Sequence, residues 1–115
     1  DFGEFSGNTY DENVACFGQR FEDWVRHRGH PAPPGGERLE DFLRRTRAWL
    51  DAVRLSGRSV VAVTHGGVIR ALTRPYVDEE HWPENGEATV LRFPSQGSPE
   101  VIRWRPPNPD PGAST

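Results

Sequence analysis

The sequence has almost no cysteine and no long apolar run. Cys16 is the single cysteine among 115 residues, so no disulfide can form within the chain and no cysteine cluster can bind a metal. No apolar stretch approaches the roughly 20 residues that a membrane-spanning helix needs, and no signal-peptide pattern opens the sequence. We therefore expect no membrane association, and the lone thiol fits the reducing cytoplasm.

An excess of charge of one sign is also lacking. The chain has 14 basic and 17 acidic residues, a net charge of -3, and the basic residues are interspersed with acids. This balance gives no reason to expect a surface for nucleic acid or another polyanion. Apolar residues make up 34% of the chain, a lean supply for a core, so we expect one small domain or a piece of a larger one.

The spacing of apolar residues predicts helices over residues 9–27, 37–55 and 68–74. Thr9, followed by Asp11 and Glu12, provides a cap and acids in the first turn of the first helix. The intervening residues 29–36 are rich in proline and glycine and predict a loop. Pro75 ends the last helix, because a residue that precedes proline avoids the helical region.

Three further segments are predicted as strands. Residues 59–64 form a largely β-branched run without alternation, which is typical of a strand buried on both faces in a parallel sheet. Residues 87–93 and 100–104 are two more polar strands. The expected fold class is therefore α/β with a mostly parallel sheet. Residues 1–105 would form the domain, followed by residues 106–115 as a disordered, proline-rich tail.

The strongest chemical signal is His65, which is followed by Gly66 and Gly67 where the predicted strand gives way to a helix. Ligands of open α/β sheets bind beyond the carboxyl ends of the strands, and the first amides of a helix point toward an anion there. A protonated histidine at this place can donate hydrogen bonds to phosphoryl oxygens. Alternatively, His65 is an ordinary polar residue and the glycines only make the turn. No metal site is expected, because the other histidines lack ligand spacing to it: His27, His30 and His81.

The second signal is Glu37, at the end of a glycine-rich lead into the long helix. In the first helical turn the helix dipole alone would favour a carboxylate. If Glu37 instead faces a group that holds phosphate, its carboxyl group could donate a proton to a leaving oxygen and then activate water.

The two signals, in this order, resemble the histidine phosphatase superfamily, which includes the phosphoglycerate mutases. The resemblance rests on a Pro-Gly-Gly-Glu turn at residues 34–37, a long helix with Arg45, and a strand that ends in Thr-His-Gly at residues 64–66. Residues 1–7 resemble the family's fG-x-wEG segment, although Phe5 and Ser6 replace its usual tryptophan and glutamate. The resemblance continues to about residue 93.

The resemblance implies a phosphoglycerate mutase-like three-layer fold and a role for each matching residue. Glu37 matches the family's general acid and base, and His65 matches the histidine that stabilises the transferring phosphoryl group. The Gly66 amide matches a phosphate-binding donor, while Arg45 and Arg70 match positions that pack or pair beneath the pocket. No cofactor is implied.

One part of the family's pattern is missing. The family's nucleophile lies in an Arg-His-Gly motif at the end of its first strand, and this motif does not occur here. Residues 26–29 read Arg-His-Arg-Gly, but they follow a helical pattern and carry an extra residue, so we interpret them as unrelated. We expect a C-terminal portion of the domain that needs an upstream segment, or a partner strand, beside residues 59–64.

The function implied by the resemblance is that of a phosphatase. It would hydrolyse a small phosphorylated metabolite, a phosphomonoester, through a phosphohistidine, and the isolated chain would be inactive without the nucleophile. Two alternatives stay open: a non-catalytic remnant or phosphate-binding module, and a phosphomutase of the phosphoglycerate mutase type.

Overall fold

The three-dimensional structure is a computed structural model that describes residues 1–27, 31–78 and 80–107. The chain divides into two compact units, residues 1–48 and residues 49–115. Helices and strands are both present, consistent with the α/β class. In chain order the elements are a 3₁₀ helix at Gly3–Phe5, α1 at Tyr10–Phe17, α2 at Gln19–Arg26, α3 at Leu39–Ser56, α4 at Gly66–Thr73, a 3₁₀ helix at Arg74–Tyr76, β1 at Ala88–Arg92 and β2 at Glu100–Trp104.

The first predicted helix forms as two helices. Thr9 caps α1: its Oγ1 accepts a hydrogen bond from the Glu12 amide at 3.2 Å, and the Glu12 carboxylate accepts one from the Thr9 amide at 2.9 Å. This reciprocal capping box satisfies two amides that a helix start leaves free. Gly18 then separates α1 from α2 with a φ of +54° and a ψ of -126°, a conformation that only glycine adopts without strain.

An aromatic cluster forms the core of the first unit. The buried Phe5 ring lies in edge-to-face contact with Phe17, Phe21 and Trp24, at centroid distances of 4.9, 5.1 and 5.2 Å. The buried Asn13 side chain donates a hydrogen bond to the Phe5 carbonyl oxygen at 3.1 Å. The first residues of the chain are therefore fixed against α1 and α2 by packing and by a buried hydrogen bond.

The long predicted helix is α3, and its buried stripe is largely as expected, with Thr46 and Leu50 almost fully buried and Leu43 42% exposed. Its start differs from the prediction. The helix begins at Leu39, so Glu37 precedes it and does not lie in its first turn. The position of Glu37 before the helix therefore differs from the first-turn position in which the helix dipole would stabilise its carboxylate.

The second unit contains α4 and an antiparallel hairpin. Helix α4 begins at Gly66, two residues earlier than predicted, and ends at Thr73 before Pro75 enters the second 3₁₀ helix. Strands β1 and β2 match the two predicted polar strands closely. Their register places Thr89 opposite Arg103, and burial alternates along both strands, as expected for a sheet that faces a core on one side only.

The parallel sheet is not confirmed. Among the described residues, β1 and β2 form the only sheet and pair with each other. Residues 59–64 lie outside helix and strand, and the side chains of Val61 and Val63 are 97% and 100% exposed. A strand forms only where a neighbour supplies hydrogen bonds, and this segment has no strand neighbour in the described part of the chain. The predicted tail lies outside the described residues from position 108 onward. In those same described residues, no helix combines the length and the apolar character that crossing a membrane requires.

Candidate active site

The turn at residues 33–37 is held by the first residues of the chain. The Glu4 amide donates a hydrogen bond to the Pro34 carbonyl oxygen at 2.8 Å, and the Glu37 amide donates one to the Asp1 carbonyl oxygen at 2.9 Å. Within the turn, the Gly36 amide donates to the Pro33 carbonyl oxygen at 2.9 Å. Hydrogen bonds to the first residues of the chain and within the turn thus fix the backbone position of Glu37.

Gly3 permits this close approach. Its φ is +51°, and a Cβ atom at this position would collide with the Pro34 carbonyl oxygen and the Gly36 amide nitrogen, and lie 2.7 Å from the Gly35 carbonyl carbon. Side chains cannot be accommodated at such distances without movement of the backbone. Two sequence segments that carried the resemblance, residues 1–7 and residues 34–37, therefore meet in space.

The Glu37 carboxylate forms a two-pronged ion pair with Arg45. Arg45 Nε donates to Glu37 Oε2 at 2.7 Å, and Arg45 Nη2 donates to Glu37 Oε1 at 3.0 Å. The hydrogen bonds from Arg45 lower the pKa of Glu37; partial burial opposes this, and the positive charge of Arg45 assists it. Glu37 is therefore ionised near neutral pH, with both carboxylate oxygens hydrogen-bonded to Arg45.

His65 lies at the start of α4. It is the N-cap residue, with an extended φ of -101° and ψ of 156°, and its carbonyl oxygen accepts from the amides of Val68 and Ile69 at 3.0 and 3.1 Å. The amides of Gly66 and Gly67 precede this first hydrogen-bonded turn, where helix amides have no carbonyl partner within the helix. Two amides and an exposed imidazole at one helix start make an arrangement that suits an anion.

A loop that the sequence analysis did not predict, residues 80–83, lies beside the start of α4. Arg70 Nη2 donates to Glu80 Oε1 at 2.6 Å, and its guanidinium carbon lies 4.3 Å from the centre of the Trp82 ring. A Cβ atom added at Gly66 would meet Pro83 at 3.8 Å and Trp82 at 4.0 Å. The pairing role expected of Arg70 is thus present, but the residues it pairs with had no signal in the sequence.

The carboxylate of Glu87, which precedes β1, also holds this loop. The Glu87 side chain is fully shielded from solvent; it contacts His81 Nε2 at 2.5 Å, and it accepts from the Glu84 amide at 3.3 Å and Arg105 Nε at 3.2 Å. Burial acts to raise the pKa of Glu87, but the hydrogen bonds from His81, Glu84 and Arg105, with the charge of His81, outweigh it, so the pKa is lowered. The loop is therefore tied to both strands of the hairpin.

The predicted site residues are divided between the two units. Glu37 lies in the first unit and His65 with Gly66 in the second, and their common action on one phosphoryl group stays a prediction. Arg26 is the last residue of α2 and His27 follows it, as expected of a helical segment, while Arg28 and Gly29 lie outside the described residues. In residues 1–27, 31–78 and 80–107, no group of three or more histidine, cysteine or acidic side chains is arranged to hold a metal ion.

Comparison with known proteins identifies relatives over nearly the whole chain. The sequence profile of the histidine phosphatase superfamily, branch 1, matches residues 1–105. A 2,3-bisphosphoglycerate-dependent phosphoglycerate mutase of Afipia carboxidovorans is 34% identical over 110 residues, which are 91% of this chain and 50% of the mutase. The enzyme of the same name from Chlamydia pneumoniae is 30% identical over 108 residues, 90% of this chain and 45% of the enzyme.

A third relative is a bifunctional protein of Mycobacterium tuberculosis. It is 32% identical over 80 residues, which cover 68% of this chain and 22% of the relative. The chain thus spans about half the length of the two curated mutases that it matches. No solved structure matches it significantly.

Proposed function

Because the chain belongs to the histidine phosphatase superfamily, we propose that it forms part of a phosphatase that hydrolyses a small phosphomonoester through a phosphohistidine. The observation that carries the proposal is the fixed position of Glu37. Its backbone is held by residues 1–4 and its carboxylate by Arg45, in a turn that resembles the one carrying the superfamily's general acid and base.

In the first half of the proposed reaction, a histidine nitrogen attacks the phosphorus atom while the bond to the leaving oxygen breaks. The negative charge of the bound phosphomonoester favours protonation of the neighbouring Glu37, and the protonated carboxyl group gives its proton to that oxygen, so that an alcohol departs and a phosphohistidine remains. In the second half, water attacks the phosphorus atom and the phosphorus–nitrogen bond breaks. The Glu37 carboxylate takes the proton of the attacking water, which restores the starting state and releases inorganic phosphate.

His65 and the amide of Gly66 would hold the phosphoryl oxygens during both transfers. Hydrogen-bond donors that are fixed before the reaction stabilise the charge of the transition state without having to reorganise. The helix start described above supplies such donors from one short segment.

The nucleophile itself would come from a segment beyond these 115 residues, because no Arg-His-Gly motif occurs among them. We propose that this segment also provides the strand beside residues 59–64. It would complete the mostly parallel sheet of a three-layer fold. The nearly full exposure of Val61 and Val63 supports this, since apolar β-branched side chains in an extended segment favour burial in a sheet. A cytoplasmic location and a small phosphorylated metabolite as substrate belong to the same proposal.

The test is turnover of p-nitrophenyl phosphate by the full-length gene product that contains this chain. Glu37→Gln removes the proton donor and acceptor, and we expect a loss of about 10²- to 10⁴-fold. His65→Ala removes one oxyanion donor, and we expect a loss of about 10²- to 10³-fold.

Matched controls are available for both substitutions. Glu40→Gln removes a carboxylate from the first turn of α3, and His27→Ala removes an exposed histidine after α2. Both controls should retain wild-type turnover. Turnover that persists in Glu37→Gln and His65→Ala would refute the proposal, and a loss confined to His27→Ala would assign catalysis to the segment that we interpret as unrelated.

The mutase alternative has one observation in its favour, which is the name of the two relatives from Afipia and Chlamydia. A mutase returns the phosphoryl group to its product, whereas a phosphatase releases it to water. Inorganic phosphate formed in step with the consumption of a phosphomonoester would support the phosphatase. A product that retains the phosphoryl group would support the mutase, and no turnover at all would support a binding module.

A further inference from the structure

We propose that Arg45 is a positioning residue that fixes the Glu37 carboxylate for both proton transfers. The proposal rests on the proposed function, because it assigns Arg45 a role in the reaction of Glu37. Sequence analysis gave Arg45 only a structural place beneath the pocket. The structure places its guanidinium group directly on the proposed acid and base.

The ion pair restricts the carboxylate in a way that a single contact would not. Two parallel hydrogen bonds, of 2.7 and 3.0 Å, engage both oxygens at once, so the carboxylate cannot rotate about its terminal bond without breaking one of them. Arg45 follows Glu37 by eight residues, just over two helical turns. This spacing lets an arginine on α3 reach back to a residue that precedes the helix.

Arg45 is itself held in place. Its guanidinium carbon lies 5.3 Å from the centre of the Phe42 ring, one turn earlier on α3, within the range of a cation–π contact. The neighbouring Arg44 offers a contrast in geometry, because it makes one contact of 3.1 Å with Asp41 whereas Arg45 makes two with Glu37; the side chains of Arg44 and Arg45 are both mostly exposed, at 76% and 60%. The Arg44 pair has the character of an ordinary surface ion pair of a helix, which contributes little.

The Glu37 side chain is therefore fixed at both ends. Its backbone amide is bound to Asp1 and its two carboxylate oxygens to Arg45, and only 18% of the side chain is exposed. Glu37 Oε2, whose hydrogen bond comes from Arg45 Nε, retains a lone pair that Arg45 does not use. A general base needs such a free lone pair in a constant direction, since proton transfer depends on geometry first.

The first test measures the pairing without reference to catalysis. In the full-length gene product, the carboxyl carbon of Glu37 is titrated by NMR in the wild type, in Arg45→Gln, in Arg45→Lys and in the control Arg44→Gln. Arg45→Gln should raise the pKa of Glu37, because the hydrogen bonds that lower it are removed. Arg45→Lys should give a smaller rise and Arg44→Gln none. Equal titration of Glu37 in Arg45→Gln and Arg44→Gln would overturn the proposal.

The second test measures the role in the reaction. In the full-length gene product, Arg45→Gln should lower kcat at least roughly tenfold, because even small misplacement of a reacting group is costly, and should leave KM within about twofold of wild type. The pH limb of kcat that reports Glu37 should move to higher pH. Arg45→Lys should recover part of the loss, and Arg44→Gln should retain wild-type kcat and the wild-type pH profile.

A double variant separates positioning from a general structural effect. In a Glu37→Gln background, Arg45→Gln should cause no further fall in kcat, because its effect acts through the missing carboxylate. An undiminished further fall would overturn the positioning role. Absence of turnover in the wild type would overturn the proposed function and the positioning role of Arg45 together, whereas the NMR titration would still decide whether the pair exists in solution.

Discussion

Substitution of Gly3 by alanine is the sharpest perturbation of the turn that carries Glu37. The added methyl group would collide with the carbonyl oxygen of Pro34 and the amide nitrogen of Gly36. These backbone atoms cannot move aside in the way that the end of a flexible side chain can. The substitution must therefore separate residues 1–4 from the turn.

The expected cost follows from two contributions. A non-glycine residue at a left-handed φ costs about 1–2 kcal/mol. The separation also breaks the hydrogen bonds from Glu4 to Pro34 and from Glu37 to Asp1, each worth about 0.5–1.5 kcal/mol. Gly3→Ala should therefore lower the free energy of unfolding by about 2–5 kcal/mol.

Gly35→Ala is the matched control for backbone strain. Gly35 lies in the same turn and has a φ of +67°, but a Cβ atom there would meet nothing within 4 Å. Gly35→Ala should lower the free energy of unfolding by only about 1–2 kcal/mol, which is the cost of the left-handed conformation. Urea unfolding, monitored by tryptophan fluorescence, is a suitable assay, because Trp24 packs against Phe5 at the end of the segment formed by residues 1–5. Equal destabilisation by Gly3→Ala and Gly35→Ala would refute the reasoning.

Three further predictions concern stability and the second unit. Thr9→Ala should lower the free energy of unfolding by about 1 kcal/mol in urea titrations, whereas Thr9→Ser should retain wild-type stability; equal losses would contradict a role for the hydroxyl group. The lowered pKa of Glu87 means that its ionised form stabilises the folded state above the ordinary carboxyl pKa of 4.5, and that this stabilisation is lost as pH falls through the lowered value. Glu87→Gln should therefore flatten the decline of Tm toward acid pH, and an unchanged decline would count against the buried cluster. Arg70→Gln removes the hydrogen bond to Glu80 and the contact with the Trp82 ring, so amide exchange in residues 80–83 should accelerate in hydrogen-exchange mass spectrometry, and unchanged exchange would show that Arg70 does not hold this loop.

Local signals in the sequence predicted most of the helices and both strands of the hairpin. The cap at Thr9, the apolar stripe of α3 and the position of Pro75 each act within a few residues, so their effect can be read without knowledge of the fold. Gly18 shows the limit of this approach. The apolar spacing continues across it, and only its conformation in the structure divides the predicted helix in two.

The other errors and omissions depend on contacts between segments, which local patterns in the sequence do not specify. Residues 59–64 have the composition of a buried strand, but a strand needs a neighbour, and composition does not supply one. Glu37 was assigned to the first turn of α3, whereas Arg45 and Asp1 determine its place. The contact of Trp82 with Arg70 depends on how the loop returns to α4, which no periodicity encodes.

The proposed site was predictable to a similar degree. Glu37 and His65 are predicted as site residues from their motifs, and these two assignments stay predictions. The surroundings did not follow from the motifs. The two-pronged contact with Arg45 and the close approach at Gly3 give Glu37 its fixed geometry, and both arise from backbone contacts and side-chain directions that only a folded chain defines.

Binding of inorganic phosphate to the full-length gene product tests most directly whether Glu37 and His65 serve one phosphoryl group. NMR signals of the Glu37 carboxyl carbon and the His65 imidazole would be followed during one titration. We predict that both signals shift with the same Kd, and that His65→Ala abolishes the response of Glu37. A Glu37 signal that stays unchanged while His65 binds phosphate would contradict the account.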